Sequence, residues 1–376
     1  MRILIAPDKY KGSLTATQVA EIICGELAGA LPNLEFDLCP IADGGEGTTE
    51  AMVTALEGTW VTAEVLDAQM RPRVARYGWI ESRGEAVMEM SAASGLAMVT
   101  DLPLNPLTAT TLGTGQMIED ALLRGAERMV IGIGGSATND GGLGMAAALG
   151  YRFIDEEGAD VIALMQEVHR AVRIEAPASW RGAQVPEILV ACDVNNPLLG
   201  ARGATRIYGP QKGVEDFEFF ESRLRHLADL VSRDLGVDPR EEAGAGAAGG
   251  LGFGLMAFCG AKLTSGFDLV AEQIGVEARI AQADLVITGE GRLDAQTLHG
   301  KGPAGVAQMA QRAKKPVVAF AGGVDASPAL AEAFHFAQAI TPAGMPLPEA
   351  LARAEELLAL AVRERSGEIR ALLGLA

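Results

Sequence analysis

Four glycine-rich segments occur in the 376-residue chain, at residues 42–48, 131–142, 244–254 and 288–303, and acidic residues or lysines stand in the first, second and fourth of them. Each segment is expected where a strand turns into a helix. Glycine lets backbone N–H groups approach an anion closely, and a helix N-terminus adds free donors and a partial positive charge. Carboxylates beside such a site favour a divalent cation shared with phosphates. The pattern therefore predicts a site for a magnesium–nucleotide complex.

The densest group of charged residues is Glu290, Arg292 and Asp294, which follow the apolar run 285–287. Three charged residues at alternate positions between glycines favour a catalytic or binding role over a purely structural one. His299, in the same segment, is either a ligand contact or an ordinary turn residue. Asp193 follows another apolar run, 188–192, and is a candidate for proton abstraction or metal binding, with a plain turn role as the alternative.

Asp8, Lys11 and Ser13 follow the first predicted strand. In open α/β sheets, ligands bind beyond the carboxyl ends of the strands, which is where these residues should lie. Ser13 or Thr15 could instead cap the following helix. Asp43 likewise fits either an active site or the positive end of a second helix.

The nucleotide-binding loop has two possible interpretations. No Walker A motif is present, because Gly300 and Lys301 lack the upstream glycine and the following Ser or Thr. A partial dinucleotide fingerprint occurs at Gly132-x-Gly134, so an NAD(P)-dependent dehydrogenase is the alternative. Asp140 would place a carboxylate among the pyrophosphate donors, which fits that alternative poorly, and the other three glycine-rich segments would stay unexplained.

Hydrophobic periodicity shows which elements must position these residues. Strands are predicted at 2–6, 35–41, 60–66, 73–80, 86–90, 128–133, 187–193, 284–288, 316–321 and 337–340, and helices at 15–31, 48–56, 114–124, 143–149, 216–234, 302–312 and 347–373. Alternation of strand and helix at both ends predicts a parallel sheet. The short strands after residue 60 predict antiparallel pairing, so a middle domain is inserted into a split doubly wound domain.

Composition excludes several classes of protein. The net charge of −18 argues against a broad surface for nucleic acid or anionic membrane. The four cysteines are scattered, which is typical of reduced thiols in the cytoplasm rather than a disulfide frame or zinc site. Residues 1–6 are too short an apolar run for a signal peptide. Five of the seven lysines lie in or beside glycine-rich motifs: Lys9, Lys11, Lys212, Lys262 and Lys301.

Taken together, these motifs resemble the type I glycerate kinase family. The resemblance covers residues 5–13, 40–48, 89–96, 132–144, 191–198, 209–213, 244–250 and 288–301. It implies ATP- and Mg²⁺-dependent phosphorylation of D-glycerate, usually at the 2-hydroxyl, by a monomer or homodimer. It also implies a Rossmann-like domain from residues 1–60 and 280–376, with an inserted flavodoxin-like α/β domain of mixed sheet at 61–279. Lys9 stands where the family commonly has serine.

The resemblance also suggests a role for each candidate residue. Asp193 or Asp294 is expected to accept the hydroxyl proton, with the other binding magnesium or orienting the hydroxyl. Lys11 and Arg292 are expected to bind the substrate carboxylate or the transferred phosphoryl group. The remaining candidates are Asp8, Ser13, Asp43 and Glu290 for the substrate, and Gly134, Gly135, Ser136, Asn139, Gly249 and Gly250 for the nucleotide phosphates.

Overall fold

The computed structural model describes residues 1–178, 186–294, 302–325 and 327–375. The chain forms two compact units. We call Met1–Asp43, Glu50–Glu57 and Phe267–Ala376 the terminal unit, and Gly44–Thr49 with Gly58–Gly266 the central unit. The division into domains at residues 60 and 280, with a flavodoxin-like insertion, stays a prediction.

The described residues contain the following regular elements. The strands are β1 (Arg2–Ile5), β2 (Glu35–Leu38), β3 (Thr59–Leu66), β4 (Pro72–Ile80), β5 (Glu85–Glu89), β6 (Arg128–Gly132), β7 (Arg152–Ile154), β8 (Arg173–Glu175), β9 (Glu187–Ala191), β10 (Lys262–Thr264), β11 (Leu285–Leu293), β12 (Val317–Val324) and β13 (Phe336–Ala339). The α-helices are α1 (Ala16–Ala30), α2 (Thr48–Ala55), α3 (Ser91–Ser94), α4 (Leu112–Arg124), α5 (Leu143–Ala148), α6 (Ala204–Tyr208), α7 (Phe217–Leu235), α8 (Ala247–Cys259), α9 (Gly266–Ile274), α10 (Val276–Gln282), α11 (Pro303–Arg312), α12 (Pro328–Ala333), α13 (Leu347–Ala352) and α14 (Ala354–Leu372).

The terminal unit is built around a parallel sheet in the order β13-β12-β11-β1-β2. Apolar residues of β1 and β11, such as Ile5 and Ile287, pack in one core with α1 and α14. Thr15 caps α1, in a capping box with Gln18. Strands from both ends of the chain thus share one sheet, which places their carboxyl ends along the same edge.

The central unit contains a mixed sheet in the order β10-β9-β6-β5-β4-β3. The β3–β4 and β4–β5 pairs are antiparallel, whereas β5, β6, β9 and β10 run parallel. A small antiparallel pair, β7–β8, lies outside this sheet. The predicted fold class, a Rossmann-like parallel sheet from both termini with a second α/β part of mixed sheet, is confirmed. In the described part of the chain, no helix is both long and apolar enough to cross a membrane.

Two local expectations are wrong. Strand β11 does not end near residue 288 but continues to Leu293, so Glu290 and Arg292 lie within the strand. It continues because β12 extends beside it, with Glu290 opposite Ala321 and Arg292 opposite Gly323. The third glycine-rich segment, 244–254, follows α7 and a loop rather than a strand.

Candidate active site

The loop after β1 is held by one side-chain hydrogen bond to β12 and another within the loop. The Tyr10 hydroxyl donates to the Phe320 carbonyl oxygen at 2.8 Å, and the Ser13 hydroxyl donates to the Tyr10 carbonyl oxygen at 3.1 Å. Since Thr15 provides the helix cap, Ser13 serves this turn. Lys11 lies exposed at the tip of the loop. The turn therefore fixes the backbone from which Asp8 and Lys11 project.

Asp8, Lys9 and Asp43 form a charged cluster after β1 and β2. Asp8 is only 8% exposed, and its Oδ1 accepts a 2.6 Å hydrogen bond from the Lys9 backbone N–H. Lys9 Nζ lies 3.2 Å from Asp43 Oδ1 and 3.9 Å from Asp8 Oδ1. Burial raises the pKa of Asp8 to about 6, against the lowering effect of Lys9, while Asp43 raises it further.

Helix α11 begins beside this cluster. A Cβ at Gly302, the residue before α11, would lie 3.6 Å from Asp8 Oδ2. The positive end of the helix thus faces the Asp8 carboxylate, which favours negative charge at this point. His299 and Lys301 lie outside the described residues.

The glycines of β11 bring the charged residues Glu290 and Arg292 of that strand against the loop after β1. The Asp8 N–H donates to the Gly289 carbonyl oxygen at 2.8 Å, and a Cβ at Gly291 would lie 3.3 Å from the Lys11 backbone nitrogen. Glu290 lies between these two contacts in the sequence. Arg292 is exposed and donates to Asp325 Oδ1 at 2.7 Å, so its guanidinium is oriented by a carboxylate. The structure therefore places residues 8–11 next to residues 289–291.

In the central unit, the segment 44–49 lies across the carboxyl ends of three strands. Glu89, the last residue of β5, accepts hydrogen bonds at Oε1 from the N–H groups of Gly47 at 3.1 Å and Thr49 at 2.9 Å. Gly44 has φ +85°, and a Cβ there would lie 2.7 Å from the Ala191 Cβ, so only glycine allows this close approach. A Cβ at Gly132 would lie 2.8 Å from the Gly44 oxygen. Burial raises the pKa of the Glu89 carboxyl, while the Thr49 and Gly47 N–H groups lower it.

The loop after β6, residues 133–142, presents some of its glycines to solvent. Gly134 and Gly135 are exposed, and Gly135 has φ +73°. Its carbonyl oxygen accepts from the Leu96 N–H at 2.8 Å, and the Ala137 N–H donates to the Ser94 oxygen at 2.9 Å. These bonds hold the two exposed glycines at the carboxyl end of the sheet, and phosphate binding by these glycines stays a prediction.

The rest of that loop is buried around two charged groups. Lys212 is 1% exposed, and its Nζ donates to Ser136 Oγ and to the Thr138 carbonyl oxygen, both at 2.6 Å. Burial lowers the pKa of Lys212 to about 7, while Asp140 raises it. The Asp140 carboxylate accepts from the Thr111 N–H at 2.8 Å and the Thr111 hydroxyl at 2.9 Å.

Asp140 is also bonded by its own loop. The N–H groups of Gly142 and Gly144 donate to its carboxylate at 3.1 and 3.3 Å. Burial raises the pKa of this carboxyl, and the Thr111, Gly144 and Gly142 donors lower it. Asn139 is fully buried, and its Nδ2 donates to Thr205 Oγ1 at 3.0 Å. Ser136 and Asn139 are therefore bonded within the protein, and their contact with a nucleotide stays a prediction.

Gly249 and Gly250 are buried and pack against the same loop. They have φ values of +70° and +88°, in a kink at the start of α8. A Cβ at Gly249 would lie 1.9 Å from the Thr138 carbonyl oxygen, and one at Gly250 would lie 2.8 Å from the Gly141 Cα. Close backbone packing thus explains both glycines, while their role as phosphate donors stays a prediction.

Asp193 follows β9 and lies exposed at the carboxyl end of the central sheet. Its Oδ1 accepts from the Gly266 N–H at 3.0 Å, which fixes the carboxylate. Among the residues that the structure describes, no three His, Cys, Asp or Glu side chains form a metal cage. Magnesium commonly uses one or two carboxylates together with substrate phosphates, and an exposed, oriented Asp193 fits that requirement. Metal binding by Asp193 and Asp294 stays a prediction.

Sequence reasoning did not assign roles to several residues that shape the site. Lys9 was noted as a lysine beside a glycine-rich motif and as a departure from the family pattern, but its bridge between Asp8 and Asp43 was not expected. Glu89 could have been found from its position at the end of a predicted strand. The Lys212 contacts span 74 and 76 residues of sequence, so no local pattern predicts them.

Carboxylates and exposed glycines at the carboxyl ends of parallel strands are typical of an α/β enzyme that acts on a phosphorylated ligand. A family model described as the glycerate kinase family matches residues 3–367. The glycerate kinase of Bacillus subtilis (strain 168) is 40% identical over 374 residues, 98% of each chain. The glycerate 2-kinase of Escherichia coli (strain K12) is 43% identical over 330 residues, 86% of each chain. The chain therefore belongs to the glycerate kinase family, whose members are phosphotransferases.

A solved structure supports the same assignment. The crystal structure assigned as glycerate kinase 2 from Salmonella typhimurium LT2 superposes with a TM-score of 0.89 at 42% identity, covering 100% of both chains. The family and these relatives are kinases, so they do not support the dehydrogenase interpretation of Gly132-x-Gly134.

Proposed function

We propose that this protein transfers the γ-phosphoryl group of ATP, as its magnesium complex, to the 2-hydroxyl of D-glycerate. The observation that carries the proposal is the family match over residues 3–367, within which all the candidate residues fall. The name of the Escherichia coli relative, glycerate 2-kinase, supports the 2-hydroxyl as the acceptor. We expect a cytoplasmic monomer or homodimer.

The terminal unit offers groups suited to a small hydroxy acid. Lys11, exposed on a fixed turn, would bind the glycerate carboxylate as a point charge. Asp8 and Asp43 would accept hydrogen bonds from substrate hydroxyls, and the Ser13 hydroxyl keeps the loop in shape. Glu290 would add a further acceptor, while Arg292, oriented by Asp325, would stabilise charge on the transferred group.

The central unit offers groups suited to the nucleotide and to proton transfer. The exposed backbone of Gly134 and Gly135 would bind phosphate oxygens at the end of β6. Asp193, held by the Gly266 N–H, would accept the hydroxyl proton, with Asp294 as the alternative base. Whichever of Asp193 and Asp294 is not the base would hold magnesium, which when bound neutralises phosphate charge. Positioning and charge neutralisation account for most of the catalysis in phosphoryl transfer.

Product analysis tests this proposal directly. The purified protein is incubated with ATP, Mg²⁺ and D-glycerate, and the product is examined by proton-coupled ³¹P NMR. A phosphate on the 2-hydroxyl couples to one methine proton and gives a doublet, whereas a phosphate on the 3-hydroxyl couples to two methylene protons and gives a triplet. We expect the doublet, with ADP formation that requires both glycerate and Mg²⁺. A triplet would refute the regiochemistry, and glycerate-dependent NAD reduction without ATP would refute the kinase assignment.

A further inference from the structure

Lys212 is a buried lysine that no step of the proposed reaction uses. It ends a short 3₁₀ helix, Pro210–Lys212, and is followed by Gly213 at φ +84°. Its Nζ bonds to Ser136 Oγ and the Thr138 oxygen, both at 2.6 Å, and both acceptors belong to the loop after β6. The lysine thus joins two segments that are far apart in the sequence.

A buried ammonium costs free energy unless it is well bonded, and a neutral donor could join the same two acceptors at lower cost. The pKa of Lys212 is lowered to about 7 by burial, which reflects that cost. Its positive charge is balanced by Asp140, which is itself fully buried and bonded by Thr111. Titratable groups with such perturbed pKa values cluster at functional sites.

The position of the loop indicates what this charge does. Gly134 and Gly135 are exposed and immediately precede Ser136, one of the two acceptors of Lys212. Fixing Ser136 and Thr138 fixes the turn from which those two glycines are presented. The ammonium bonded to that turn also makes the electrostatic potential at the turn more positive, which favours binding of an anion. Because the ammonium is already fixed, the anion does not have to be desolvated by a mobile side chain.

We propose that Lys212 is a positioning residue for the nucleotide: its buried ammonium fixes residues 134–138 in the conformation that binds the phosphates of ATP and adds positive charge to that turn. This inference rests on the proposed function, because it takes the bound ligand to be MgATP. It predicts an effect on the nucleotide rather than on glycerate.

Lys212→Met keeps most of the stem and removes the ammonium. We expect KM for ATP and Kd for MgADP to rise about tenfold or more, while KM for D-glycerate changes less than about threefold. Lys212→Arg, which retains the charge, should recover part of the MgADP affinity. Lys262→Met is the matched control, since Lys262 is an exposed lysine of the same unit paired with Glu187 at 3.4 Å, and it should change neither constant.

Measuring Kd for MgADP across a pH series distinguishes the effect of the Lys212 charge from the effect of its packing. The Lys212 ammonium is expected to lose its proton as pH rises through about 7. Kd for MgADP should therefore rise between pH 7 and pH 9 in the wild type but stay nearly flat in Lys212→Met and Lys212→Arg. The same ligand is titrated into all three proteins, so any effect of nucleotide ionisation on Kd is common to them and cancels in the comparison. Asp140 is the charged group that acts on this ammonium.

An equal rise in both KM values, or unchanged Kd for MgADP, would overturn the inference. If Lys212→Met does not fold, the pH series on the wild type and Lys212→Arg decides, because it keeps a cation-bearing side chain at this position in both proteins. We expect Kd for MgADP to rise with pH in the wild type only, and the same pH dependence in both proteins would again overturn the inference. Calorimetric titration with MgADP needs no turnover, so failure of the glycerate reaction is distinguishable from failure of this role.

Discussion

Replacing Asp8 by asparagine should make the protein more stable at neutral pH and less active. Asp8 is a buried carboxyl whose pKa is raised from 3.8 to about 6. Asparagine has nearly the same shape and keeps an oxygen that can accept the 2.6 Å bond from the Lys9 N–H. The substitution therefore removes the buried charge with little change in packing.

The sign and the size of the change in stability follow from the folded and the ordinary pKa values of Asp8. The folded pKa of about 6 lies above the ordinary value of 3.8, so the native state binds more protons between these values and stability falls as pH rises. The stability that protonated Asp8 contributes is fully present below pH 3.8 and lost above about pH 6. At about 1.36 kcal/mol per pKa unit, the total loss is about 3 kcal/mol in the free energy of unfolding.

Calorimetry of wild type and Asp8→Asn checks this value. The sequence pI is 4.7, so the series should run from about pH 5 to pH 8, above the isoelectric point. Over that range the advantage of Asp8→Asn should grow by about 1.4 kcal/mol. One kcal/mol corresponds to about 2–4 °C in Tm for units of this size.

Asp43→Asn is the companion variant, because Asp43 raises the pKa of Asp8. It should move the fall in stability to lower pH. A difference between wild type and Asp8→Asn that is constant across the pH range would refute the reasoning, as would a variant less stable than wild type at pH 8. Higher stability with lower activity is the signature of a group retained for function rather than for folding.

Three further predictions concern other parts of the site. Asp193→Asn removes the basic carboxylate, so kcat should fall about 10²–10⁴-fold. Because asparagine keeps an acceptor for the Gly266 N–H, Tm should change little, and activity within a few-fold of wild type would exclude Asp193 as the base. Lys11→Met should raise KM for D-glycerate with kcat nearly unchanged, and unaltered kinetics would show that Lys11 is a solvated surface residue. Gly249→Ala should lower the free energy of unfolding by roughly 2–5 kcal/mol, because a positive φ is combined with a Cβ placed 1.9 Å from a carbonyl oxygen. Gly260→Ala, with φ +62° and open space around its Cβ, should cost only about 1 kcal/mol, and equal losses for the two variants would contradict the packing argument.

Local hydrophobic pattern was enough to predict the main strands and helices. Apolar runs predicted strands near β1, β9 and β12, and amphipathic spacing predicted helices near α1 and α7. These elements bury residues within a few positions of one another, so their pattern is visible in the sequence itself. The prediction of β11 ended too early because its last residues are glycines and charged residues, which extend only because β12 pairs with them.

The interior of the loop after β6 could not be predicted from the sequence, for a related reason. Gly249 packs on the Thr138 carbonyl, more than a hundred residues earlier in the chain, and its expected role as a phosphate donor stays a prediction. Asp140 was judged only by its poor fit to a dinucleotide site, and its bonds to Thr111 depend on how α4 and α5 pack. Contacts between distant segments decide whether a polar residue faces a ligand or supports the loop that does.

The order of strands in the terminal sheet has a consequence for synthesis on the ribosome. Strand β1 lies between β2 and β11, but β11 is translated about 280 residues after β1. At about 5–20 residues per second, one edge of β1 waits for roughly a quarter of a minute to a minute. All six strands of the central sheet lie within residues 59–264 and can pair during that wait. The unit that carries Asp8 is therefore begun first and completed last, with the apolar strand Arg2–Ile5 kept unpaired on one side in the nascent chain.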